Sequence, residues 1–110
     1  MPGQGDYATG NLQVDAIIRI VNSFSSVGAN TTAQQTVTVQ GLAVGDLVTV
    51  SKTTFQAGLI VASADVSAKD TLRVTFGNLT GGGITPTASD SYTINVFRLS
   101  NPAAIPGNFL

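Results

Sequence analysis

The sequence predicts an all-β protein: a single-domain β-sandwich, jelly-roll or immunoglobulin-like, with extended N- and C-terminal arms. Three observations carry that prediction. The 110 residues include 12 Val, 7 Ile and 14 Thr, β-branched types that suit strands, while Glu is absent and Lys, Arg and Met are scarce. Apolar and polar positions alternate with period two over several short segments. Turn residues recur every ten residues or so, the spacing of a sandwich rather than of βαβ units. A chain of this length encloses one core, so a second domain is not expected.

The elements follow in order. Residues 1–11 read as an N-terminal arm, with Gly3, Gly5, Gly10 and Pro2 around a lone aromatic, Tyr7. Residues 12–99 hold the sandwich. In Leu12 to Asn22, Val14, Ala16, Ile18 and Ile20 occupy one face, and Ile17 and Val21 make the opposite face apolar too. A strand of this kind needs cover on both sides, as a central strand of a sandwich with one face toward the core and the other against a neighbouring subunit; a short helix also fits a run this brief. Val37 and Val39 alternate with Thr36, Thr38 and Gln40, which predicts a strand over 35–40. Further strands are expected at 46–52, 59–66, 71–77 and 91–98, the clearest being Leu72, Val74 and Phe76 against Thr71, Arg73 and Thr75. Gly41 to Asp46 separates two strands, Ser67-Ala68-Lys69-Asp70 closes a hairpin, and Asn78 to Asp90 is a longer Gly/Pro-containing loop. Residues 100–110 form a C-terminal tail with Pro102, Pro106 and Gly107, ending in Asn-Phe-Leu. Such ends either fray or anchor on a neighbouring subunit through Tyr7, Phe109 and Leu110.

The missing residue types exclude much chemistry. With no His and no Cys there is no imidazole or thiolate nucleophile, no zinc site of the usual N/S kind and no disulfide framework. All six acids are Asp. Asp65 and Asp70 flank the expected hairpin turn and Asp46 follows a Gly, positions where Asp commonly accepts backbone hydrogen bonds rather than acting in catalysis. No Asp-x-Asp-x-Asp loop suggests calcium. Gly81-Gly82-Gly83 is followed by Ile-Thr-Pro, not the Lys-Ser/Thr pair of a phosphate loop, and reads as a flexible connection. The chain is therefore expected not to be an enzyme, with no catalytic residues, no metal site and no cofactor.

Charge narrows the partners. The cations Arg19, Lys52, Lys69, Arg73 and Arg98 are scattered, which argues against nucleic acid. No apolar run approaches the ~20 residues of a membrane span, and the first residues lack the character of a signal peptide, so a soluble chain made in the cytoplasm is expected. Charged residues are 10% of the chain against roughly 25% in an ordinary domain. A surface rich in neutral Thr, Ser, Asn and Gln is cheap to desolvate, which suits permanent assembly. Phe97 and Leu99 lie on the face opposite Tyr92, Ile94 and Val96, where a monomer's strand should be polar. Either a second layer of the same domain covers them or another molecule does.

Several segments together resemble a known class. Gly41-Leu42-Ala43-Val44-Gly45-Asp46-Leu47-Val48-Thr49-Val50 is followed by Ala57-Gly58-Leu59-Ile60-Val61, Val66-Ser67-Ala68-Lys69-Asp70-Thr71-Leu72, Val74-Thr75-Phe76-Gly77-Asn78, Ile84-Thr85-Pro86 and Tyr92-Thr93-Ile94. Over roughly residues 35–98 this resembles small bacteriophage virion proteins, in particular the head decoration (cement) proteins of tailed phages. The resemblance implies a homotrimeric β-sandwich, made in the host cytoplasm and placed on the outer capsid surface, where it bridges neighbouring major capsid proteins. Its partners would be copies of itself and the major capsid protein, with no nucleic acid and no membrane. Candidate oligomer or capsid contacts are Tyr7, Ile17, Val21, Phe97, Leu99, Phe109 and Leu110. The alternative is a receptor- or glycan-binding module of a virion fibre or spike.

Overall fold

Strand propensity and alternation produce six strands in a computed structural model, which describes residues 12–99. They are β1 (Leu12–Asn22), β2 (Thr31–Thr38), β3 (Leu47–Lys52), β4 (Leu59–Ala68), β5 (Thr71–Asn78) and β6 (Asp90–Leu99). Among the described residues there is no helix, so the two-sided apolar run at the start is a strand. Two antiparallel three-stranded sheets result, ordered β1-β6-β3 and β2-β5-β4. The first strand lies beside the last and the second beside the fifth, while β3 packs against β4 across the sandwich. This winding is that of a jelly roll reduced to six strands.

The core lies between the central strands. Leu72, Val74 and Phe76 of β5 face Tyr92, Ile94 and Val96 of β6, and all six are buried. Phe24, from the connection after β1, joins the layers by packing edge-on against both Phe76 (centroids 5.0 Å apart) and Tyr92 (5.1 Å). Val27, fully buried, reaches the core through a bridge to Ile84, the two backbones exchanging hydrogen bonds of 2.8 and 3.0 Å.

One strand differs from the sequence expectation. β2 spans Thr31–Thr38 rather than 35–40, because it pairs with β5 along its whole length, from Thr31 opposite Asn78 to Thr38 opposite Thr71. Beyond Thr38 the partner strand has turned, and Val39 and Gly41 instead bind the turn itself. Val39 N–H donates to the Asp70 carbonyl at 2.9 Å, and Gly41 N–H donates to Asp70 Oδ1 at 2.8 Å. The connection after β5 is also better organised than a flexible loop. Asn78, almost wholly buried, donates from Nδ2 to the Val27 carbonyl (3.1 Å) and the Gly82 carbonyl (2.8 Å), and accepts at Oδ1 from Thr80. The triglycine is thereby held at its centre.

Candidate functional site

The carboxylates are the groups with most chemical potential, and the described ones are committed to structure. Asp46 accepts from Arg98 Nε at 2.7 Å and Nη2 at 2.8 Å, and from the Ala43 N–H at 2.9 Å. Arg98 also donates to the Gly41 carbonyl at 2.7 Å, so the pair fastens the 41–46 turn to the end of β6. The hydrogen bond from Arg98 holds the Asp46 carboxyl below the usual range, against the opposing push of burial. Asp90 is 3.0 Å from Lys52 Nζ and accepts from the Thr54 hydroxyl at 2.9 Å and the Ser91 N–H at 3.0 Å. Burial is the largest influence on Asp90 and pushes its pKa up, but the bonds from Lys52 and Thr54 together outweigh it and leave the group lowered. Asp65 forms a two-point pair with Arg73, whose Nε lies 2.8 Å from Oδ1; this pairing lowers the Asp65 pKa. Asp70 takes the Gly41 N–H from a left-handed backbone (φ 59°), the turn role its position suggested. No three acids cluster as metal ligands among the described residues.

The unusual surface lies instead on the outer face of β1-β6-β3. Register places Ile17 beside Asn95 and Thr49, Arg19 beside Thr93 and Ser51, and Phe97 between Asp15 and Leu47. Ile17 is 74% exposed, Val21 66% and Leu47 56%, while Phe97 and Leu99 are half-buried at the end of the sheet. Apart from exposed Arg19, the polar groups described around them are neutral, and two pairs are bonded to each other: Asn95 Nδ2 donates to the Thr49 hydroxyl at 3.2 Å, and the Thr53 and Ser91 hydroxyls lie 2.7 Å apart. The sequence-predicted residues Ile17, Val21, Phe97 and Leu99 therefore share one face of one sheet. Tyr7, Phe109 and Leu110 lie outside the described residues.

Comparison with protein-family models, with curated proteins and with solved structures finds no match for this chain.

Two features of the surface were not singled out from sequence. Leu47 has the opposite parity to the inward Val48 and Val50, and that parity was the available signal. Phe55, 85% exposed, sits on the connection between β3 and β4 beside an open cleft of about 290 Å³ lined by Ser51, Lys52, Thr54 and Gln56. A single Phe between a strand and a Gln-Ala-Gly turn carries no period to announce it.

Proposed function

We propose that this chain is a virion structural protein, a decoration (cement) protein that binds the outer surface of a phage head and stabilises contacts between major capsid proteins. The observation that carries the reading is the outer face of β1-β6-β3. It offers Ile17, Val21 and Leu47 to solvent on a background of neutral hydroxyl and amide groups, with Arg19 its charge among the side chains described there. Covering such a face removes apolar area from water and desolvates few ions, at roughly 25 cal/mol per Å² gained. Many copies, each bound modestly, would brace a shell through multiplicity. The chain acts by binding alone: its described carboxylates are held in turns and ion pairs.

The test is co-sedimentation of the purified chain with heads of the parent phage that lack it. Saturable binding and a raised temperature of DNA release are expected; heads that neither bind the chain nor gain heat resistance would refute the reading. Phe55 at its cleft favours a second reading, a glycan-binding fibre or spike module, because an exposed aromatic beside hydroxyl and amide groups can stack on a sugar. Binding on a glycan array that is lost in Phe55→Ala would support that alternative.

A further inference from the structure

We infer that β1 pairs edge to edge with β1 of a second copy of this chain, antiparallel about a two-fold axis through Ile17, to give one continuous six-stranded sheet. The inference begins with the four strand edges, since an exposed edge is a template for pairing unless something blunts it. Three are blunted. β3 is only six residues long. β4 is interrupted by register shifts between Val61 and Ser63 and again between Val66 and Ala68. β2 is flanked by the preceding connection, where Gln35 donates to the Ser25 carbonyl at 2.8 Å and accepts from the Ser25 N–H at 2.6 Å. β1 is the long one, 11 residues, and its ladder with β6 runs without a shift from Val14 to Asn22.

Burial along β1 leaves its inner row incompletely covered among the described residues. Ala16, Ile18 and Ile20 point toward the core yet stay half-buried, whereas Tyr92, Ile94 and Val96 on the adjacent strand are buried. Another strand beside β1 would cover that inner row and the exposed Ile17 together.

Charge selects the register. Facing residues in a sheet must point to the same side, so a two-fold antiparallel pairing is centred on a residue. Centred on Ala16, Ile17 faces Asp15; centred on Ile18, Ile17 faces Arg19; centred on Arg19, two arginines face each other. Centred on Ile17, Asp15 faces Arg19 of the second copy, Arg19 faces its Asp15, and Ile17 meets Ile17. Ala16 then meets Ile18, and Val14 meets Ile20. This register matches opposite charges twice and, over residues 14–20, sets every apolar position against another, while Val21 faces Gln13.

The pairing is a property of the purified chain and stands or falls separately from the capsid reading. Sedimentation equilibrium of the full chain should show a dimer. Arg19→Asp alone and Asp15→Arg alone should each weaken dimerisation about tenfold or more by placing like charges opposite, and the double exchange should restore it. Ile17→Lys should weaken it about thirtyfold or more with an unchanged far-UV spectrum, since that side chain is 74% exposed. A monomer at all concentrations, a trimer, or a dimer indifferent to the charge exchange would each overturn the proposal. Rescue by the double exchange separates a lost interface from a lost fold.

Discussion

The two sheets have similar inner faces and different outer ones. On β2-β5-β4 the outward positions include Thr36, Thr75, Gln34 and Ser63 around the Asp65–Arg73 ion pair, with Ile60 the large apolar side chain exposed among the strand residues there, and the edge strand β4 carries two register shifts. On β1-β6-β3 they include exposed Ile17, Val21 and Leu47, and the edge strand β1 pairs with β6 without a shift from Val14 to Asn22. One face carries a fixed charge pair and a blunted edge, as a surface kept in water would. The other is inexpensive to dehydrate and has a backbone edge to offer. With only 11 charges in the chain, the proposed reading assigns the two sheets different roles: solvent on one side, partners on the other.

Substitutions that separate inner from outer positions test this contrast. The largest effect is expected in the shared core, where Phe76→Ala should cost about 3–5 kcal/mol in urea unfolding, because Phe76 is fully buried and packs on Phe24. A loss below about 1 kcal/mol would mean that the layers are not joined there.

Next is the buried tie that anchors the 41–46 turn. Arg98→Ala should cost about 2 kcal/mol, as it leaves the Asp46 carboxylate buried without its partner. The same ties set the acid response. Asp46, Asp65 and Asp90 have folded pKa values below their unfolded ones, so their stabilisation is complete above the unfolded value of about 3.9 and fades as pH falls through the folded values. The urea midpoint should be flat from pH 7 to 5 and drop below pH 4, with a smaller drop in Asp46→Asn than in the parent. An equal drop would remove Asp46 from the acid transition.

A gain is expected at Tyr92, whose hydroxyl is buried without a hydrogen-bond partner among the described residues; burial, aided by the Asp90 charge, pushes its pKa up to about 12. Tyr92→Phe should stabilise the fold by about 1 kcal/mol. A loss of that size would show that the hydroxyl has a partner in solution.

The smallest effects belong to the outer faces. Arg73→Ala and Val21→Ser should each shift stability by less than about 0.5 kcal/mol, since the Asp65–Arg73 pair is exposed and Val21 is 66% exposed. The contrast lies in assembly: on the proposed reading Val21→Ser should weaken attachment to heads, and Arg73→Ala should leave it unchanged.

Much of this arrangement could be read from alternation. The two-sided apolar pattern of Leu12–Asn22 pointed to a central strand with cover on both faces; β1 is a strand but lies at a sheet edge, with its outer face exposed at Ile17 and Val21. Thr71–Phe76 and Asp90–Phe97 alternate cleanly because each has one face in the core. What alternation could not show depends on contacts distant in sequence. Phe24 and Val27 are buried from a connection with no period, through partners such as Ile84 and Tyr92. Lys52 and Asp90 lie 38 positions apart, and Asp46 and Arg98 lie 52 apart, so neither pairing leaves a local signal. The start of β2 was missed because Thr31 to Gln34 alternates only Ala33 against neutral polar residues, and pairing with β5 decides it. Gly58 shows the same dependence: its φ of 84° requires glycine, and a Cβ there would stand 2.3 Å from Thr80 Cγ2 of a distant loop.

The division between the sheets is tested most directly by a cryo-electron microscopy map of decorated heads at a resolution that traces strands. On the proposed reading, density for the sandwich on the outer shell is expected, with the β1-β6-β3 face in contact and the Asp65–Arg73 face toward solvent. A map with the sandwich on a tail fibre, or with β2-β5-β4 against the shell, would contradict it.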